Sequence, residues 1–305
     1  MLEKIKARLP GGVLFKTLLY VFRDIISGQF DFYDKFGLSL YFLGDKKSKE
    51  LFYDLLIKLY SSPHINHINY NGIILPKIED LTKKSILLKE VFIVEFFDFV
   101  YKHPNDNYFD DFTEGPYFYH QVQIQKGDIV IDAGANIGMF SALASHLGGI
   151  VYAFEPVKEI REKYLEKTAQ LNPNINIIPF ALSDTIGSTE INIDNDYLTA
   201  SSIAKNMKIN RENISKNIIR TISLDDWVKQ NNIPKVNFIK ADIEGAERLM
   251  LEGAQWVLKT YAPKLAICTY HLPDDKEVLT KLILQANPNY KIEYAWKKLY
   301  AWVEK

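Results

Sequence analysis

From Gly127 to the C-terminus, short apolar runs alternate with stretches of helical period. Asp128–Asp132 reads as a buried strand, and the spacing predicts a helix over Asn136–His146. The pattern repeats with strand Ile150–Phe154, helix Lys158–Leu171 and strand Ile175–Phe180. After a polar excursion come a short helix at Asp225–Asn231 and strand Val236–Ala241. Helix Ala246–Leu258, strand Leu265–Tyr270 and helix Asp275–Ala286 follow. Lys291–Trp296 and Leu299–Val303 read as a terminal hairpin turning about Lys297-Lys298. Such β-α alternation predicts an α/β fold with a doubly wound, mainly parallel sheet, and the closing hairpin predicts an antiparallel edge.

The N-terminal third has a different rhythm. Leu14, Phe15, Leu18, Leu19, Phe22, Ile25 and Ile26 fall on one helical face that stops at Ser27-Gly28. A second helix is expected over Ser48–Tyr60, while Lys84–Tyr101 is too uniformly apolar to assign. These stripes read as core. Turn chemistry at Pro104–Asn107 and Glu114–Pro116 puts the boundary near Asp110. The expected division is a mainly helical region, 1–110, and a main domain, 111–305. The Asn/Ile/Lys-rich stretch Lys205–Arg220 reads as a solvated insertion.

Composition narrows the class. Of 305 residues, 47% are hydrophobic and 25% charged, which excludes wholesale disorder. Thirty-seven basic against 38 acidic side chains give a net charge of -1, so no global charge favours nucleic acid. The only cysteine, Cys268, lies in an apolar run; an intrachain disulfide and a cysteine metal cluster are excluded. Neither a signal peptide nor a membrane-length apolar stretch is evident, so a cytoplasmic location is the expectation.

The chemistry concentrates where strands end. Asp132-Ala133-Gly134-Ala135-Asn136-Ile137-Gly138 joins a strand to a helix, and Gly134 allows a sharp turn there. Its spacing departs from the dinucleotide pattern Gly-x-Gly-x-x-Gly: Asn136 replaces the middle glycine and Gly138 comes one residue early. Asp132 would repel a pyrophosphate but suits a cationic amino-acid group, which favours S-adenosylmethionine. Glu155, about twenty residues on at the next strand end, is placed to accept two ribose hydroxyls. Ser183 and Asp184 end another apolar run and could reach an adenine edge or form a plain turn. Asp242 and Glu244 could hold the cofactor, orient an acceptor hydroxyl or take its proton, and His271 adds a second base candidate. These three could also ligate a divalent ion, but their spacing does not show convergence and no metal ligand is assigned.

The ordered set Glu114–Tyr117, Gly127–Gly138, Ala153–Pro156, Ala181–Asp184, Ser223–Asp226 and Lys240–Glu247 resembles the FkbM family of S-adenosylmethionine-dependent methyltransferases. The resemblance runs from about Glu114 to the C-terminus and leaves the first 110 residues outside it. It implies a class I methyltransferase, Rossmann-like fold and O-methylation, typically of a sugar or natural-product hydroxyl. The cofactor residues it implies are Tyr117, Asp132, Gly134, Ala135, Asn136, Gly138, Met139, Phe140, Glu155, Pro156, Ser183 and Asp184. On this reading Asp242 or His271 takes the proton and Glu244 orients the acceptor, with Thr199–Ser202 and the N-terminal region covering it. The expected partner is a small-molecule or glycan acceptor, with no nucleic acid and no membrane span; the oligomeric state stays open. A nicotinamide-dependent oxidoreductase with a variant loop and a non-catalytic cofactor-binding module are the alternatives.

Overall fold

A computed structural model describes residues 29–31, 67–70, 73–76, 116–194 and 214–304. The expected helices at Leu14–Ile26 and Ser48–Tyr60, the unassigned Lys84–Tyr101 and the loop Thr199–Ser202 lie outside the described residues. Backbone packing divides the chain into Met1–Glu95 and Phe96–Lys305, upstream of the boundary expected near Asp110. In the first unit, β1 (Gln29–Asp31), β2 (His67–Tyr70) and β3 (Ile73–Pro76) form a three-stranded sheet. The helical reading of this region did not include those strands. Asn71-Gly72, a strong hairpin dipeptide, stands between the antiparallel pair β2 and β3.

The second unit alternates as the apolar pattern requires. Its elements begin with β4 (Ile129–Ala133), α1 (Met139–His146), β5 (Ile150–Phe154), α2 (158–171) and β6 (Ile175–Ile178). There follow β7 (Ala181–Ser183), β8 (Gly187–Asp194), β9 (Ile214–Ser223) and α3 (Leu224–Gln230). The rest is β10 (Phe238–Ala241), α4 (Glu247–Glu252), α5 (Gln255–Tyr261), β11 (Lys264–Cys268), α6 (Asp275–Ala286), β12 (Lys291–Ala295) and β13 (Lys298–Trp302). The middle turn of α2, Arg161–Leu165, is wound as a π-helix.

The main sheet has the order β12-β13-β11-β10-β4-β5-β6. All its strands are parallel except the closing hairpin, in which β13 runs antiparallel to both β11 and β12. Strands β10 and β13 are buried along their whole length, and β4, β5 and β11 nearly so. That is why these segments read as continuous apolar runs instead of alternating ones. The chain leaves β4 toward β5 on one side and returns through β10 on the other, which makes the β4–β10 boundary the topological switch point. Ala133 is level with Ala241 and with Phe154 in the two pairings, so the loops after these strands open side by side.

Two expectations need correction. The polar excursion is not simply a solvated insertion: β9 is the centre of a second sheet, ordered β7-β9-β8, and Ile219 and Ile222 are buried. Lys216, Asn217 and Ile218 are exposed one after another, so only the second half of β9, from Ile219 on, carries a buried face, and that hid the strand. The helix expected over Ala246–Leu258 is two helices. A Cβ at Gly253 would lie 2.0 Å from the Ser183 carbonyl oxygen, and Asp225 accepts the backbone N–H groups of Trp256 and Val257 at 2.8 and 2.9 Å. A long-range carboxylate thus caps α5 where a continuous helix would have run on. Among the described residues no helix is long and apolar enough to cross a membrane.

Candidate active site

At the switch point the loop after β4 closes on the loop after β10. Gly134 has φ 72°, and a Cβ there would stand 2.1 Å from the Asp242 backbone oxygen. Only glycine permits that approach. Asn136 and Gly138 also take left-handed conformations, and Gly138 starts α1 packed against Leu165 and Thr168. The loop spends its own donors. The N–H groups of Gly134 and Ala135 go to the Phe154 carbonyl, that of Asn136 to Glu155 Oε2 and that of Gly138 to the Ala135 carbonyl. A dinucleotide loop keeps such donors for pyrophosphate, whereas these four are already engaged within the protein.

Asp132 is fully buried and faces inward. Its carboxylate lies 3.1 Å from Lys240 Nζ and accepts the Ser141 hydroxyl at 2.6 Å. Lys240 also donates to the carbonyls of Ala133 and Gly134 at 3.1 and 2.7 Å. Burial works against the ammonium, but Asp132 and Asp242 outweigh it and hold its pKa above the ordinary lysine value. Asp132, expected beside the cofactor's cationic end, has its carboxylate turned inward on Lys240 and Ser141 and shapes the loop through Lys240. Met139 and Phe140 are likewise buried, and the Phe140 ring packs with Phe118 and Phe238 in the core.

Glu155 stands at the end of β5, 5% exposed, with Oε2 on the Asn136 N–H and Oε1 on the Val157 N–H. Burial raises its pKa to about 7 against the lowering effect of those N–H groups, Arg161 and Lys240. Arg161 donates to the carbonyls of Glu155 and Pro156, which fixes the backbone at that turn. A carboxylate at this strand end, with lone pairs beyond two backbone donors, fits the vicinal hydroxyls of a nucleoside ribose. Ser183 and Asp184, expected at an adenine edge, lie at the end of a strand outside the main sheet. Strand β7 belongs to the second sheet, Ser183 packs on Gly253 at the end of α4 away from Glu247, and Asp184 is exposed. The adenine contact expected of them assumed that Ala181–Ser183 continued the main sheet, which ends instead with β6.

The loops after β10 and β11 gather residues from four places in the chain. Tyr117 donates to Asp242 Oδ2 at 2.8 Å, and its ring has Lys298 Nζ 4.3 Å and Lys240 Nζ 5.4 Å from its centroid. Tyr270 reaches Asp242 Oδ1 at 3.4 Å. His271, its side chain 1% exposed, has Nδ1 3.1 Å from Glu247 Oε1 and Nε2 3.6 Å from both Asp242 Oδ1 and Glu244 Oε2. Glu244 has φ 55°, a strained conformation for a residue with a side chain. Glu247 accepts the N–H groups of Ile243 and Gly245 at 2.8 and 3.0 Å, holding the turn that presents Asp242 and Glu244.

Electrostatics separates the two base candidates. Burial lowers the basicity of His271, but Glu247 first, then Asp242 and Glu244, overcome it and raise its pKa to about 9. At neutral pH the ring holds both protons, which removes it as a resting general base. Burial opposes ionisation of Asp242 too, yet Lys240, Lys298, His271 and Tyr117 hold its carboxyl below the ordinary value. Asp242 is therefore the ionised partner.

Lys240, Glu247, Tyr270 and Lys298 went unrecognised in the sequence. Lys298 was expected in the hairpin turn. The turn falls at Trp296-Lys297, so Lys298 opens β13, 1% exposed beside Asp242's neighbours. Lys240 sits inside an apolar strand run, and a buried lysine there is itself a signal that a carboxylate waits nearby.

The description "Methyltransferase FkbM domain" fits residues 132–292, just over half the chain. The hexuronic acid methyltransferase AglP of Haloferax volcanii is 26% identical over 170 residues, 56% of this chain and 67% of that protein. The 31-O-demethyl-FK506 methyltransferase FkbM of Streptomyces tacrolimicus is 25% identical, with 48% of this chain and 67% of that protein aligned. A crystal structure of methyltransferase FkbM from Methylobacillus flagellatus KT superimposes with a TM-score of 0.45 at 19% identity over 73% of this chain. The superposition spans 55% of that structure's length.

Proposed function

The chain belongs to the FkbM family of S-adenosylmethionine-dependent methyltransferases, and we propose that it methylates a hydroxyl oxygen of a sugar or glycan precursor. The observation that carries this reading is the meeting of Asp242, Tyr117, Glu244 and His271 beside Gly134 at the switch point, one strand from Glu155. The cofactor, when bound, would supply a methyl group activated on a sulfonium, its sulfur–methyl bond breaking to leave the neutral thioether S-adenosylhomocysteine as the oxygen–methyl bond forms. Glu155 would accept the ribose hydroxyls, and the loop 134–138 would lie against the nucleoside. Asp242, already ionised, accepts the acceptor proton, and Glu244 orients the hydroxyl. His271 acts as a fixed positive charge that steadies both carboxylates. The acceptor oxygen grows acidic as its bond to the methyl carbon forms, so a weak carboxylate base suffices. Positioning is then the main source of rate. Support for the acceptor class comes from the relatives' names, one specifying a hexuronic acid and the other an O-demethylated substrate.

The test pairs calorimetry with S-adenosylhomocysteine and a mass-spectrometric transfer assay against sugars, uronic acids and their nucleotide-linked forms. Asp242→Asn should lower turnover about 100-fold or more while leaving S-adenosylhomocysteine affinity within a few-fold. Absence of S-adenosylhomocysteine binding, or unchanged turnover in that variant, overturns the proposal.

A further inference from the structure

Asp242 stands beside aromatic side chains that proton transfer does not use. Register brings the closing hairpin to the same edge: Ala133, Ala241, Ile267 and Leu299 are level across β4, β10, β11 and β13. Strand β13 runs antiparallel to β11 and β12, so the turn before it, Trp296-Lys297, rises past the carboxyl ends of the parallel strands. The Lys297 carbonyl accepts both the N–H and the hydroxyl of Thr269, at 2.9 and 3.1 Å, which ties that turn to the loop after β11. From the same loop Tyr270, 37% exposed, reaches Asp242 with its hydroxyl at 3.4 Å. Its ring centroid lies 5.4 Å from Lys297 Nζ. The half-buried Trp296 meets Tyr119 edge to face at 5.7 Å. Tyr270 and Trp296, joined through Lys297, thus line the rim on the β11–β13 side of Asp242.

The backbone at Trp296 is strained. Seven described residues other than glycine have positive φ. Three are asparagines and one a histidine, types that tolerate it, and Ala262 ends α5. The remaining two, Glu244 and Trp296, both stand at this rim, with φ 55° and 52°. In a two-residue hairpin loop such a position is normally filled by glycine, asparagine or aspartate. Strain of this kind persists where the side chain serves the site.

We propose that Tyr270 and Trp296 form the subsite on which the pyranose ring of the acceptor packs while one of its hydroxyls faces Asp242. The C–H groups on one face of a pyranose carry partial positive charge and lie well on the negative face of an aromatic ring. Its rim hydroxyls are left for polar neighbours, and Lys297, exposed on a flexible stem, supplies donors there. The occupant follows from this mixture. Aromatic rings interleaved with carboxylates and a lysine suit a molecule apolar on its faces and hydroxylated around its rim; a hydrocarbon would strand those polar groups. The inference deepens the methyltransferase reading and rests on it for the direction in which the sugar hydroxyl points.

Saturation-transfer difference NMR on the full chain with S-adenosylhomocysteine added reads the subsite directly. The probes are the methyl glycosides of glucose, galactose and glucuronic acid, with sorbitol as the open-chain control. Ring C–H signals of at least one glycoside should receive saturation that sorbitol does not. Tyr270→Phe should keep this transfer, whereas Tyr270→Ala and Trp296→Gly should lose it, with affinity lower by about tenfold. Glycine suits positive φ, so Trp296→Gly should unfold at no lower urea concentration than the wild type. A lower urea midpoint with undiminished transfer would make Trp296 a packing partner of Tyr119 and overturn the proposal. So would equal transfer to sorbitol, or no change in Tyr270→Ala, which tests the subsite even if Trp296→Gly does not fold. Calorimetry with S-adenosylhomocysteine keeps the two readings apart. Normal cofactor binding without glycoside contact removes the subsite alone. Glycoside contact that both variants abolish, without cofactor binding, leaves the subsite standing and removes the methyltransferase reading.

Discussion

Replacing Lys240 with methionine keeps the stem of the side chain and removes only its charge and donors. In the native chain the ammonium lies 3.1 Å from Asp132 and donates to two carbonyls of the loop after β4. Both side chains are inaccessible, 5% and 0% exposed, so water cannot take over. Without Lys240 the buried Asp132 carboxylate is left with the Ser141 hydroxyl alone of these partners. Breaking one side of a buried pair in this way costs about 3–5 kcal/mol. Urea unfolding, followed by the fluorescence of buried residues such as Trp227, measures it. The double variant Asp132→Leu/Lys240→Met should lose less than the sum of the single losses, by about 2 kcal/mol, because no charge is stranded. Since the lysine pKa lies above its ordinary value, its contribution is present below that value and lost only in strong alkali. The loss on mutation should therefore be the same at pH 6 and pH 8. A Lys240→Met cost below about 1 kcal/mol, or strict additivity in the cycle, would refute the argument that this pair holds the loop.

Three further outcomes follow from the geometry. Glu155, with a folded pKa of about 7, is stabilising while protonated, and that contribution is lost as pH rises from its unfolded value through 7. Binding runs the other way, because the ribose hydroxyls need the ionised acceptor: S-adenosylhomocysteine affinity by calorimetry should fall about tenfold from pH 8 to pH 6. A flat profile, or an unchanged one in Glu155→Gln, rejects that role. Gly134→Ala should cost about 2–5 kcal/mol in urea and weaken S-adenosylhomocysteine binding, since its Cβ meets the Asp242 carbonyl in a left-handed conformation. Wild-type stability in that variant would mean the two loops do not approach as described. Ser223 caps α3 by accepting the Asp226 N–H at 3.1 Å, so Ser223→Ala should cost about 1 kcal/mol with cofactor affinity unaltered; a loss of affinity would contradict the assignment of that residue to the scaffold alone.

Much of the second unit was legible in order of residues alone. Buried parallel strands must be apolar on both faces and must alternate with covering helices, so Ile150–Phe154 and Asp275–Ala286 emerge with their observed bounds. The loop Asp132–Gly138 and Glu155 were legible because strand ends carry few polar residues by chance, and their spacing tracks the β-α-β unit. What could not be read was whatever depends on distant segments meeting. The break between α4 and α5 rests on Asp225 and Ser183; the seat of Lys298 rests on β13 entering beside β11. The inward turn of Asp132 depends on Lys240, a residue 108 positions away whose charge survives burial only through that pair. His271 illustrates the same limit, since its spacing suggests a base while the three carboxylates packed around it make it an acid at neutral pH. Local pattern determines which segments become strands and helices because it reflects one-dimensional periodicity; protonation and contact depend on three-dimensional neighbours, and only the folded sheet brings those together.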